Sequence, residues 1–234
     1  MAIPDNIIVA IRSRYSRPPH LSDPWADFTP EELEAIIRKR DAELTDCDLR
    51  CIFQSILPAG EYTECVWFLP LALERMLPPA GDADLCFDVF SWIGDNAEPL
   101  AQDGLWDELL AFTENFFAEL TAAFILKNGY PENLGHVDQL IEALNDDRGA
   151  FDGMGDRLIQ KYLAVADTYP RAAWLITLLE HTLYYSTTSK YLKTVARENR
   201  TPMKNAYDTI VAAVADDDEL LNYWSGKFDR LAMW

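Results

Sequence analysis

The stretch "YTECVWFLPLALERMLPP", residues 62–79, decides the fold. It is the most apolar run in the chain and carries Pro70 near its middle. Its side chains Tyr62, Cys65, Val66, Leu69, Ala72, Leu73, Met76 and Leu77 recur at the period of one helix face rather than alternating as in a strand. Trp67, Phe68 and Leu71 cover a second face, and a helix apolar on most sides belongs inside a bundle. Pro70 lacks a backbone donor and its ring clashes one turn back, which predicts a kink, or two short helices meeting near Leu69. A membrane span needs about 20 predominantly apolar residues. Glu61, Glu64, Glu74 and Arg75 leave this run too short for one.

Outward from this run the helical pattern continues. In "TPEELEAII", Thr29 is placed as an N-cap, Pro30 at the first helical position and Glu32 as the closing residue of a capping box, which predicts a helix over 30–44. Thr201 and Pro202 repeat the cap and proline. Leu105, Leu109, Phe112, Phe116, Leu120 and Ala123 predict a helix of about six turns ending before Asn128-Gly129. Further helices are predicted over 5–14, 46–56, 83–93, 132–144, 153–166, 170–186, 188–197 and 217–225. None of the remaining segments alternates convincingly over a strand's length.

The expected fold is therefore all-α, an irregular multi-helix bundle of about eleven helices with short links. Helix density also admits HEAT-like or armadillo-like helix pairs, although no fixed period of matching residues runs through the chain. A single helical domain over 1–234 is expected. "NDDRGAFDGMGD", residues 145–156, is the best internal boundary and divides it into subdomains 1–145 and 146–234.

With 49% apolar and 12% aromatic residues, the 234-residue chain has the large side chains that offset ordering entropy. Its net charge of −19, from 39 acids against 20 Lys and Arg, argues against nucleic-acid binding, which depends on cations displacing phosphate counterions. An anionic membrane surface is disfavoured for the same reason, and the excess acid favours a basic partner. Cys47, Cys51, Cys65 and Cys86 follow no secreted disulfide spacing, and "MAIPDNIIVAIRSRYSRPP" does not read as a signal peptide, so a reducing cytoplasm is the expected compartment.

Catalytic chemistry has few candidates. The three histidines, His20, His136 and His181, have no nucleophile or base close in sequence to complete a triad. The cysteines lack closely spaced zinc-ligand pairs and lie in apolar neighbourhoods, where free Cys behaves as a small hydrophobe. No Glu-x-x-His motif, phosphate-cradling Gly-Lys motif or dinucleotide fingerprint occurs. "DDRGAFDGMGD" lacks the ligand positions of a calcium loop and reads as a turn before a helix. No catalytic residue, metal or cofactor is expected.

Charge distribution is the informative feature. From Met76 to Leu126 there is no Lys, Arg or His, but there are the acids Asp82, Asp84, Asp88, Asp95, Glu98, Asp103, Asp107, Glu108, Glu114 and Glu119. Trp92 and Trp106 lie among them, flanking "GDNAEPLAQDG". Acids steer a basic partner and buried tryptophan supplies binding energy, so Asp84, Asp88, Trp92, Asp95, Glu98, Asp103, Trp106 and Asp107 are the expected partner-binding residues. The opposing reading is a solvated face whose tryptophans point into the core. Lys190, Lys193 and Arg197 follow helical spacing as a basic stripe, continued by Arg200 and Lys204. The stripe is expected to pair with an acidic face of the same molecule or of a second copy in a homo-oligomer.

"IIVAIRSRYSRPP" followed by "WFLPLAL" resembles a group of uncharacterised bacterial helical proteins, in which an amphipathic first helix ends in a Pro-containing link before an aromatic-x-Leu-Pro segment. The resemblance covers about the first 80 residues. It implies a bacterial, cytosolic protein and carries over no functional residue.

The expected role is a non-enzymatic acidic protein-binding protein, most concretely an immunity or antitoxin-like protein engaging a basic partner. The alternatives are a helical scaffold or repeat-like adaptor, and an enzyme whose site is assembled from distant carboxylates with His181 or His136.

Overall fold

The computed structural model describes residues 2–54, 58–78, 81–127, 129–146, 149–184 and 189–233. The expected ends of the helices at 46–56, 170–186 and 188–197 lie partly outside them, as do Pro79, Asn128, residues 147–148 and Trp234. The fold is all-α, with a single two-residue hairpin among the described residues. Two compact units are present. One runs to Phe116 and takes in Phe151; the other comprises Phe117–Asp146 and the chain from Asp152 onward.

The first unit begins with α1 (Asp5–Arg14), which buries Ile7 and Ile11. In α2 (Pro30–Arg38) the capping box forms as the sequence predicts: Glu32 N–H donates to Thr29 Oγ1 and Thr29 N–H to Glu32. The helix stops at Arg38, short of the predicted Leu44, because Lys39 turns extended and Asp41–Glu43 form a separate 3-10 turn. A second capping box, between Thr45 and Asp48, starts α3 (Asp46–Phe53).

The opening run forms α4 (Tyr62–Cys65), a 3-10 turn (Val66–Phe68) and α5 (Leu69–Arg75). Pro70 sits in the first turn of α5, where its missing amide costs nothing, and the Leu69 N–H donates to Val66 O in the tighter pattern. Residues Cys65 to Pro70 are buried without a break, as expected of a helix inside a bundle. The Arg12 guanidinium lies 3.6 Å over the Trp67 ring.

Two further helices follow, α6 (Ala83–Asp95) and α7 (Ala97–Gln102). The second was unforeseen, because "AEPLAQ" has a central proline inside a glycine-flanked stretch; Pro99 is tolerated in the first turn. Helix α8 (Trp106–Ala122) belongs to the first unit as far as Phe116. Phe151 packs in this unit against Phe90 and Trp106, and an added Cβ on Gly94 would lie 3.1 Å from the Phe151 ring.

In the second unit α8 ends at Ala122, before the predicted Asn128-Gly129 stop. Beyond it β1 (Leu126–Lys127) and β2 (Tyr130–Pro131) pair antiparallel around Gly129 at φ 82°. So short a pairing leaves no alternation in the sequence to detect. Helices α9 (Leu134–Leu144), α10 (Met154–Tyr162), α11 (Tyr169–Tyr184), α12 (Lys190–Arg197), α13 (Thr201–Ala213) and α14 (Asp218–Ala232) complete the unit.

Helix α11 is its axis. Residues Ala172 to Glu180 are buried on every side, and α11 packs against α12, α13 and α14. Trp174 Nε1 donates to Ala123 O at 2.9 Å and its ring meets Phe124 edge-on at 5.4 Å, while Phe124, Tyr169 and Trp224 contact one another. Buried Glu180 accepts from Lys227 Nζ and from Arg230 Nε at 2.8 Å. Helix α14 runs past its predicted end to Ala232 and brings Lys227, Arg230 and buried Leu231 into the unit.

Candidate functional site: the acidic segment

The acidic segment spans α6, α7 and the start of α8, and its residues do not share one environment. Asp82 caps α6 by accepting from Asp84 N–H. Helix α6 is buried on most of its faces, so acids inside it need partners, and Arg50 of α3 supplies the cation. The Arg50 guanidinium donates to Asp84 Oδ2 and to buried Asp88 Oδ2, each at 3.2 Å.

Trp92 is 3% exposed. Its ring stacks on Tyr62 with an interplanar angle of 3° and meets Phe53 edge-on at 5.2 Å. Trp106 is half-buried against Phe151, with centroids 5.4 Å apart.

Asp103, at the end of α7, is a hub. Its Oδ2 accepts from the phenols of Tyr15 and Tyr62, both at 2.6 Å, and its Oδ1 accepts from Arg14 at 3.0 Å. Burial alone would raise the carboxyl, but the two phenols and Arg14 outweigh it and hold Asp103 below the usual carboxylate range. Burial, reinforced by the Asp103 charge, pushes both phenols upward, Tyr62 strongly.

Asp84 is exposed despite its pair with Arg50, and the acids of the α7–α8 turn also face solvent. Asp95, Glu98, Asp107 and Glu108 are exposed around the α7–α8 turn. That turn is fixed by Leu105 N–H donating to Leu100 O at 2.8 Å, by buried Leu100 and Leu105, and by Gly104 at φ 70°. Glu98, Asp107 and Glu108 make no ion pair among the described residues, and Asp107 and Glu108 occupy the first turn of α8, where the helix dipole favours them.

No family model, curated protein or solved structure matches the chain.

Of the eight residues singled out in the sequence, the structure ties Asp84 and Asp88 to Arg50, Asp103 to Arg14 and two phenols, and Trp92 into an aromatic core. Asp95, Glu98 and Asp107 stand on the exposed turn, with Trp106 partly covered. Glu108 joins the turn. The partners Arg14, Tyr15, Arg50 and Tyr62 gave no sequence signal, because they lie 34 to 89 residues from the acids they meet.

Elsewhere, His181 Nδ1 lies 3.1 Å from Asp138 Oδ1, and Glu142, one turn further along α9, is raised by burial and then by the charges of Asp138 and Asp146. Among the described residues no group of three or more His, Cys, Asp or Glu is placed to hold a metal ion, and no helix is long and apolar enough to cross a membrane. The cysteines are free. Cys65 and Cys86 are buried, and the Cys65 Sγ approaches Ala59 O at 3.4 Å.

Proposed function

We propose that the protein is a non-enzymatic binding protein that receives a basic protein partner on the exposed carboxylates Asp95, Glu98, Asp107 and Glu108. An immunity or antitoxin-like role, in which the partner is a basic toxin, is its most concrete form. The observation that carries the reading is that Glu98, Asp107 and Glu108 are exposed and without ion pairs among the described residues, whereas Asp84, Asp88 and Asp103 of the same segment are each satisfied internally. Glu98, Asp107 and Glu108, without ion pairs among the described residues and held on a hydrogen-bonded turn, raise the local potential that steers a basic surface and lose little entropy on contact.

The test is affinity capture with the wild-type chain and with a Glu98→Gln, Asp107→Asn, Glu108→Gln variant, washed at rising salt. Loss of capture by the variant and in high salt is expected. Capture unchanged in both respects overturns the acidic-face reading and favours a scaffold whose contacts are apolar.

A second reading, an enzyme assembled from distant residues, is supported by the His181–Asp138 pair with the raised carboxyl of Glu142 beside it. It requires that a substrate protect His181 from diethyl pyrocarbonate; equal modification with and without each compound tried counts against it.

A further inference from the structure

The acidic net charge conceals a cationic face in the second unit. Lys190, Lys193 and Arg197 are exposed along α12, and Arg200 and Lys204 follow at the start of α13. Lys193, Arg197, Arg200 and Lys204 make no ion pair among the described residues, so the expected pairing with an acidic face of the same molecule is not found for them.

Helix stability accounts for Arg197, in the last turn of α12 where the dipole favours a cation, but not for the others. Cations are unfavourable at a helix N-terminus, yet Lys190 and Lys193 occupy the first turn of α12, and Arg200 and Lys204 the start of α13. The α12 N-terminus is satisfied by a carboxylate from elsewhere: Asp156 of α10 accepts from Lys190 N–H and Tyr191 N–H, each at 3.0 Å, and from Ser189 Oγ at 2.6 Å.

The opposite end of α13 carries the opposite charge. Asp216, Asp217, Asp218 and Glu219 are exposed in the link to α14 and in its first turn, and none makes an ion pair among the described residues. Asp217 alone has a local task, accepting from Leu220 N–H as the cap of α14. The 13 residues of α13 set its two ends about 20 Å apart, so Arg200 at one end and Asp216 at the other lie well beyond the Debye length of about 8 Å at physiological salt. Among the described residues Lys193, Arg197, Arg200 and Lys204 form no ion pair with these acids within one molecule.

We propose that they neutralise each other between molecules: the α12–α13 cationic face of one copy docks on the α13–α14 acidic turn of a second copy, head to tail. Charge complementarity selects the occupant, since each chain presents both halves of the contact, one beside each end of α13. A contact between different faces is heterologous, so it closes into a ring or propagates as an open chain. At physiological salt the mutual repulsion of two acidic chains is screened beyond a Debye length, while pairs in contact are not. None of the carboxylates of the α7–α8 turn takes part in this contact.

The experiment is sedimentation velocity of the full chain over a range of concentrations at roughly 0.1 M and 1 M salt, which bracket strong and weak screening. Two variants are compared, one with Lys193→Glu and Arg197→Glu, the other with Asp216→Asn, Asp218→Asn and Glu219→Gln, both checked for native helicity by circular dichroism. The wild-type chain is expected to associate with rising concentration at low salt and to revert to a single chain at high salt. Each variant alone should stay a single chain. An equimolar mixture of the two retains one intact basic face and one intact acidic turn and should form a dimer that grows no further. A wild-type chain that stays monomeric at every concentration overturns the proposal, as do variants that associate like wild type. A monomeric wild-type chain that binds poly-glutamate or a short DNA duplex, with the Lys193→Glu, Arg197→Glu variant failing to, overturns it in favour of a different anionic occupant.

Discussion

The phenol of Tyr62 donates to Asp103 Oδ2 at 2.6 Å, and this hydrogen bond joins the start of the apolar run to an acid 41 residues away. Tyr15 donates to the same oxygen and Arg14 to the other, so one carboxylate ties α1, α4 and α7 together. Replacing Asp103 by Ala orphans two phenols, one of them strongly desolvated, and should cost roughly 1–3 kcal/mol in urea unfolding. Glu98→Gln, on the exposed turn, should stay within about 0.5 kcal/mol of wild type.

The same carboxylate gives a pH dependence with a definite sign. Asp103 ionises more readily in the folded chain than its ordinary value of 3.8, so its contribution is complete above that value and is lost as pH falls below it. The stability difference between wild type and Asp103→Ala should therefore shrink on acidification below the ordinary carboxyl value. A difference that stays constant down to the acid transition would show that the hydrogen bonds do not depend on the charge.

In the second unit, Glu180 is 8% exposed and Lys227 9%, with Arg230 completing the group. Removing one member of a buried ion group leaves an uncompensated charge, at roughly 3–5 kcal/mol. Glu180→Ala should fall in that range by chemical denaturation. Combining Glu180→Leu with Lys227→Met should recover most of the loss, because an apolar pair of similar volume has no desolvation cost.

Gly155 is required by close packing. An added Cβ would lie 2.8 Å from Asn145 Oδ1 and 3.0 Å from Ile141 O, where Asn145 and Asp156 hydrogen-bond reciprocally. Gly155→Ala should destabilise by about 1–3 kcal/mol, the cost of overpacking, and lower the thermal midpoint. Gly226→Ala, whose nearest neighbour is the flexible Arg230 side chain at 3.7 Å, should not.

Thiol labelling at mildly alkaline pH should separate the cysteines. Exposed Cys47 should react first, and Cys51 more slowly because burial raises it. Burial pushes Cys65 up to about 12 and Cys86 up as well, so both should react only after denaturation. Rapid labelling of all four in the native chain would contradict this packing.

The all-α fold was legible in the sequence because helix periodicity and caps are local. The spacing around Leu69 and Leu73, the Thr29–Glu32 box and the break at Pro70 each depend on residues within a turn or two of one another, and each formed. The extension of α14 and the short hairpin involve instead partners that periodicity does not encode, Glu180 in the one case and a two-residue pairing in the other. The acidic segment marks the division most sharply. Its one-signed charge from Met76 to Leu126 is a property of the sequence alone. Tertiary structure decided which carboxylates meet a cation of the same molecule. Arg50 and Arg14 lie outside the segment and reach Asp84, Asp88 and Asp103 only when the helices pack, leaving Glu98, Asp107 and Glu108 to solvent. A charge's availability to a partner depends on its neighbours in space, and those are fixed by side-chain packing across the unit, which no local pattern records.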